Sequence, residues 1–131
     1  MKGLDTNVLV RLLVQDDRRQ SSKANRYIEE AAAGGESCFL NTIVLCETVW
    51  VLESAYGYPK AMIVEALEKI VSITQFEIER KDAVWGALED YKSSKADFSD
   101  CLIGRVNRGA GCDETASFDS AVTGLSGFHV L

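Results

Sequence analysis

Four acidic residues of this sequence stand where packing alone does not explain a charge. They lie at the edge of an apolar run or inside one: Asp5, Glu47, Asp100 and Asp119. An ionised carboxylate is almost never buried unless it is paired or binds a metal, and the sequence places few cations near these four. If the carboxylates converge, a divalent cation is the natural counter-charge. Oxygen ligands favour Mg²⁺ or Mn²⁺ over zinc or copper.

Each of these acids also has a structural explanation. Asp5 and Asp119 each follow a predicted strand, and each would cap the helical segment after it. Asp97 and Asp100 resemble a capping box with Asp in place of Glu. Glu47 lies in the middle of a predicted helix, where no cap explains it, although a solvent-facing stripe of an amphipathic helix would.

The chemistry that such a cluster would support is phosphodiester cleavage. A bound metal acidifies a water molecule into a nucleophile, and two metals about 4 Å apart also stabilise the attacking and leaving oxygens of an in-line displacement. This chemistry needs neither a histidine base nor a covalent nucleophile. It therefore suits a chain whose one histidine, His129, lies near the C-terminus, where we expect a structural or exposed side chain.

Length and composition predict one globular domain over residues 1–131, with 47% apolar and 26% charged residues. The apolar stretches are too short to cross a bilayer. Asp5 precedes any apolar segment that could form a signal peptide, so we expect a soluble cytoplasmic protein. The four cysteines form no CxxC pair, and we expect reduced, buried thiols.

The net charge of −6 argues against a protein that binds nucleic acid mainly through a basic surface. It does not exclude a protein that brings phosphate to a metal, because the metal offsets the acids locally. The basic residues nevertheless cluster in two places: Arg18, Arg19, Lys23 and Arg26, and then Arg105 and Arg108. The first cluster could be the solvated face of a helix, or it could have a functional role; the sequence leaves both interpretations open.

Short β-like runs alternate with helical patterns, which favours an α/β fold with a parallel sheet. The predicted strands are residues 2–4, 38–40, 76–78, 114–118 and 128–131. Helices are predicted to begin after Asp5, near Ser21, at Asn41 or Thr42, at Pro59, at Asp82, and at Asp97 or Ser99. Because the carboxyl ends of parallel strands share one edge of a sheet, we expect the acids to face one crevice there. Trp50, Met62, Trp85 and Phe98 are predicted in the core or at its edge.

Four segments of the chain resemble the PIN domain and, more narrowly, the VapC-type toxins of type II toxin–antitoxin systems. They are LDTNVLVRLL at 4–13, ETVWVL at 47–52, ADFSDCLI at 96–103 and SFD at 117–119. The resemblance covers nearly the whole chain and keeps the order and spacing of the motifs. It implies a three-layer α/β/α sandwich with a central parallel sheet and an Mg²⁺- or Mn²⁺-dependent endoribonuclease that cleaves RNA.

The resemblance also implies residue roles and partners. The catalytic and metal-binding acids would be Asp5, Glu47, Asp100 and Asp119, with Asp97 as an additional metal ligand. The residues that hold these acids by hydrogen bonds would be Thr6, Asn7 and Ser117. Members of the family are usually homodimers, and each is neutralised by a small antitoxin protein encoded beside it.

Two other classes of function stay open. In some phosphohydrolase and phosphotransfer domains the Asp after the first strand is itself phosphorylated, but those domains usually have a second Asp two residues on, where this chain has Asn7. A non-catalytic module whose acidic pocket receives a basic partner segment is the other class. Mn²⁺ binding that depends on Glu47 separates a nuclease from such a module.

Overall fold

Strands and helices alternate along the whole chain in a computed structural model, which describes residues 1–131. The chain forms two compact units, an N-terminal unit (Met1–Glu79) and a C-terminal unit (Arg80–Leu131). The N-terminal unit contains β1 (Lys2–Gly3), α1 (Thr6–Leu13), α2 (Arg18–Ala33), β2 (Cys38–Leu40), α3 (Thr42–Ser54), α4 (Lys60–Ser72) and β3 (Phe76–Ile78). The C-terminal unit contains α5 (Lys81–Ser93), α6 (Phe98–Gly109), β4 (Thr115–Ser117), a 3₁₀ turn (Ser120–Val122) and β5 (Phe128–Val130).

The three strands of the N-terminal unit form a parallel sheet in the order β1-β2-β3. Parallel neighbours require long crossover connections, and here each connection is a pair of helices. The carboxyl edge of the sheet carries three polar side chains: Asp5, Asn41 and Glu79. Asn41 accepts the backbone N–H of Val44 at 2.9 Å, and Glu79 accepts the N–H and hydroxyl of Thr42. This edge is therefore where the chain passes from strand to helix through capping side chains.

The C-terminal unit is built around α5, α6 and the parallel pair of β4 and β5. Arg105 of α6 donates two hydrogen bonds, of 2.7 and 2.8 Å, to the Asp90 carboxylate of α5. Tyr91 and Phe98 pack edge to face, with ring centroids 6.0 Å apart. Such paired charges and rings fix one helix against the other.

The predicted strands and helices are present in the predicted order, which confirms the α/β class. The sequence pattern predicts the start of α2 near Ser21, but the helix begins at Arg18 because Asp17 accepts the backbone N–H of Gln20 at 3.0 Å. Pro59 is predicted at the first position of its helix, but its backbone is extended, so it occupies the cap position and α4 begins at Lys60. Each unit has its own parallel sheet, of three and of two strands.

Several predicted side-chain positions are confirmed and others are wrong. Phe98 is fully buried, but Trp50 is 67% exposed, and Met62 and Trp85 are also exposed. Apolar residues occur on every side of α3, so their pattern alone does not select the buried face. His129 is exposed on β5, as predicted.

The cysteines are not joined by disulfides, and burial raises the thiol pKa values of Cys38 and Cys46, so both are neutral thiols. Cys101 is buried as predicted, but Cys112 is exposed, because it follows the end of α6. No helix combines the length and the apolar character that crossing a lipid bilayer requires.

Candidate metal centre

Asp5 and Glu47 of the N-terminal unit are connected through one residue, Thr6. Asp5 caps α1, and its Oδ1 accepts the backbone N–H of Thr6 at 2.7 Å. The hydroxyl of Thr6 donates to Glu47 Oε1 at 2.9 Å. The second oxygen of each carboxylate accepts no hydrogen bond from the protein. Both acids are exposed, and each keeps a ligand oxygen free.

A groove of about 380 Å³ opens between these two acids and the end of α3. Arg11 and Tyr56 also line it, but the guanidinium of Arg11 is 3.0 Å from the carboxylate of Asp16 and donates to the hydroxyl of Tyr56. The hydrogen bond to Tyr56 is the largest of the effects that raise the pKa of Arg11. Arg11 is thus held as a permanent cation beside the groove without neutralising either acid.

Three acids of the C-terminal unit form a tighter group, which we call the aspartate cluster: Asp97, Asp100 and Asp119. One carboxylate oxygen from each lies within 4.8 Å of the other two. Asp97 occupies the cap position of α6, but its side chain caps no backbone N–H. The capping-box explanation for Asp97 and Asp100 is therefore wrong.

Asp119 reaches the aspartate cluster from the end of β4. Its N–H donates to Ser117 Oγ at 3.0 Å, and its Oδ1 accepts the N–H of Ala121 at 2.9 Å. The cap explains one oxygen of Asp119 and leaves the other available to a ligand. A strand end and the start of a helix thus bring Asp119 and Asp100 together.

The electrostatics of the aspartate cluster are unfavourable without a cation. Partial burial is the main cause that raises the pKa of Asp100, followed by a hydrogen bond with Asp119 and by the negative charges of Asp119 and Asp97. No Lys or Arg forms an ion pair with any of the three carboxylates. Asp100 therefore holds its proton more tightly than an isolated carboxyl would when no cation is bound.

The family to which the chain belongs is decided by comparison with known proteins. The model of the PIN domain family matches residues 3–123, which is nearly the whole chain. The chain belongs to the PIN domain family. It is also 30% identical over 118 residues to a VapC ribonuclease of Aquifex aeolicus (strain VF5), and the alignment covers 90% of this chain and 87% of the relative. No solved structure matches the chain significantly.

Membership confirms the PIN-like α/β fold class that the motifs implied, and PIN nucleases generally use divalent metals. The donor set of this PIN domain fits such a metal. Oxygens around a six-coordinate Mg²⁺ lie about 3–4 Å apart, given metal–oxygen distances of 2.0–2.1 Å. The aspartate cluster spans no more than 4.8 Å, so small side-chain rotations bring its oxygens to a common cation.

The sequence-predicted residues of the PIN domain thus fall into two groups. Asp5, Thr6 and Glu47 are joined in the N-terminal unit, and the aspartate cluster with Ser117 lies in the C-terminal unit. Asn7 hydrogen-bonds neither acid of its unit, although it lines their groove. Sequence reasoning missed Arg11 and Tyr56, and the signal available for Arg11 is its position four residues after Asn7, on the same face of α1.

Proposed function

We propose that this PIN domain is an endoribonuclease that depends on Mg²⁺ or Mn²⁺ and acts as the toxin of a type II toxin–antitoxin system. Three observations support the proposal: the PIN family membership, the similarity to a VapC ribonuclease, and the aspartate cluster. The cluster carries most of the weight, because it brings three carboxylates together with no Lys or Arg paired to them, and the cap formed by Asp119 accounts for only one of their oxygens.

The proposed roles follow from the free oxygens of each acid. Asp97, Asp100 and Asp119 of the C-terminal unit would be metal ligands, and so would Asp5 and Glu47 of the N-terminal unit. A bound divalent cation supplies Lewis-acid stabilisation of the phosphate charge and makes a water molecule more acidic. Thr6 holds Glu47 Oε1, which fixes the direction of the carboxylate and leaves Oε2 for a ligand or a proton.

Cleavage assays test this function directly. Structured RNA is incubated with the protein in Mg²⁺, in Mn²⁺ and in EDTA, and with Asp100→Asn, Asp5→Asn and Asp113→Asn. Loss of a residue that only supports a metal ligand costs about 10- to 100-fold in activity, so loss of a ligand should cost at least about 100-fold. Asp113 is an exposed acid outside both groups, so Asp113→Asn should retain full activity. Cleavage in EDTA, or full activity in Asp100→Asn, contradicts the proposal.

Calorimetric titration with Mn²⁺ separates the nuclease from a non-catalytic acidic module. A nuclease should bind Mn²⁺ with an affinity that falls in Glu47→Gln and in Asp100→Asn. A protein that binds a basic peptide but shows no Mn²⁺ binding would be a module instead. Detection of a phosphoaspartate at Asp5 would favour the phosphotransfer alternative.

A homodimer and a cytoplasmic antitoxin partner complete the proposal. Ile43 and Trp50 support the homodimer, because they are seven residues apart on one face of α3 and are 68% and 67% exposed. Light scattering of the purified protein should give the dimer mass, and Trp50→Glu should give the monomer. If a short open reading frame adjoins the gene, co-expression with its product should yield a stable complex that suppresses cleavage.

A further inference from the structure

The cations of this acidic protein are distributed unevenly. Four of its 14 Lys and Arg residues lie within the first nine residues of α2, in a protein of net charge −6. These four are Arg18, Arg19, Lys23 and Arg26. All four are exposed, and none forms an ion pair or a hydrogen bond within the protein. Long side chains left without partners are available to a ligand from outside.

Three of these cations share one side of α2. Arg19, Lys23 and Arg26 follow each other at spacings of four and three residues, which places them on one helix face. Tyr27, four residues after Lys23, lies next to this face and is 45% exposed. Glu30 ends the positive stretch one turn further on. The basic face therefore covers the N-terminal half of α2, and the positive end of the helix dipole adds to it at the first turn.

A groove of about 470 Å³ lies beside this face, between α1 and α2. Lys23 and Tyr27 line one side of it, and Asp5 and Asn7 line the other. Its floor is mostly apolar and includes the buried Ala24. The groove thus runs from one acid of the proposed active site to an exposed aromatic ring and an unpaired ammonium group, and its size suits a small organic group such as one nucleotide.

We infer that the α1–α2 groove and the basic face of α2 hold an unpaired RNA strand next to the phosphate that is cut. Tyr27 stacks on one base, and Lys23 contacts a phosphate of the same strand. Arg19 and Arg26 contact further phosphates along α2. The inference rests on the proposed function for its substrate. Phosphates match the three unpaired cations of this face in charge, and an exposed tyrosine beside the groove takes an unstacked base, which a duplex does not offer.

Fluorescence anisotropy with a labelled, unstructured oligouridine tests the inference in the Asp100→Asn background, so that the RNA is not cut. The test variant is Lys23→Gln with Arg26→Gln, and the matched control is Lys69→Gln with Lys81→Gln. Both pairs remove two charges, and Lys69 and Lys81 lie on other helices. The slope of log K against log salt is negative, and each lost phosphate contact should reduce its magnitude by about 0.7, or by about 1.4 for the test pair. Equal slopes for the two pairs overturn the inference.

Substitution of Tyr27 tests the stacking separately from the charge. Tyr27→Ala should weaken oligouridine binding by about 5- to 100-fold, and Tyr27→Phe should bind like the parent because the ring is kept. Thermal unfolding of each variant shows whether the exposed substitutions leave the fold intact. If Tyr27→Ala binds as tightly as Tyr27→Phe, the groove does not hold a base.

Two further outcomes separate this inference from its alternatives. If the protein cuts RNA without metal, the proposed function is wrong. The salt dependence of oligouridine binding still shows whether the strand lies on the basic face of α2. If the α2 variants bind oligouridine as the control does but lose a partner protein, the groove is a protein-docking surface and the inference is wrong.

Discussion

Asp100→Asn should stabilise the metal-free protein while it weakens binding of the proposed metal. The aspartate cluster holds three carboxylate oxygens within 4.8 Å, so Asp100 takes part in two like-charge pairs. At 4.8 Å each pair costs about 0.9 kcal/mol in the dielectric of water and about 3.5 kcal/mol at an effective dielectric of 20. Asp97 and Asp119 are exposed, so the lower figure applies, and the two pairs together cost about 2 kcal/mol.

A second effect opposes the gain. Asp100 lies in the first turn of α6, where a negative charge interacts favourably with the helix dipole by about 0.3–1 kcal/mol. Asparagine loses this interaction. The relief of repulsion is larger, so the net stabilisation should be about 1 kcal/mol. For a chain of this length that corresponds to a rise in Tm of roughly 3–5 °C.

Thermal unfolding followed by circular dichroism measures the change, first in EDTA at low salt and then with excess Mn²⁺. A ligand at 100 times its Kd stabilises a protein by about 2.7 kcal/mol, which only the wild type should gain in full. The order of stability should therefore reverse: the variant is more stable in EDTA, and the wild type is more stable in Mn²⁺. Asp113→Asn should change neither value. A lower Tm of Asp100→Asn in EDTA refutes the claim that the three acids repel one another.

Three further predictions concern the neighbouring contacts. Thr6→Val should lower Mn²⁺ affinity by about 10- to 100-fold, because Glu47 loses the hydroxyl that directs it, whereas Thr6→Ser should retain the affinity; titration calorimetry measures both. Gly104→Ala should lower stability by about 1–3 kcal/mol in denaturant unfolding, because its new methyl group would lie 2.5 Å from the ring of Phe128, while Gly124→Ala, with nothing within 4 Å, should be nearly neutral. The pKa of Asp100 is raised in the folded protein, so its protonated form contributes stability at acid pH that is lost as the pH rises. The stability gained by Asp100→Asn in EDTA should therefore grow from acid to neutral pH. A gain that shrinks over this range contradicts the raised pKa.

The order of strands and helices is predictable because local signals agree with one another along the chain. Asn41, one of the two predicted caps, begins α3, and Gly34 ends α2 as predicted. The start of α2 is misplaced by the sequence pattern although Asp17 and Gln20 have the three-residue spacing of a capping box, with Asp and Gln in the two positions. Trp50 is misplaced because a helix with apolar residues all round gives no periodic pattern from which to choose its buried side.

The sequence predicts which acids belong to the candidate site, but it does not predict their hydrogen-bond partners. A carboxylate inside an apolar segment is visible in a sequence, whereas the bond from Thr6 to Glu47 joins residues 41 positions apart and depends on how α1 and α3 pack. The same holds for Tyr56, whose hydroxyl donates to Asp16 across 40 positions. Sequence patterns report local structure, and contacts of this range come only with the fold.

The Arg105–Asp90 ion pair limits which sequence changes the N-terminal part of α6 tolerates. Arg105 sits five residues after Asp100, and one residue inserted into a helix rotates the turns before it by about 100° relative to the turns after it. With one residue inserted between Asp100 and Arg105, the helix could not keep both contacts. Either Arg105 stays paired with Asp90 and Asp100 turns away from Asp119, or the carboxylates stay together and the ion pair is lost. This stretch of α6 should therefore accept exchanges of side chains but no change in its length.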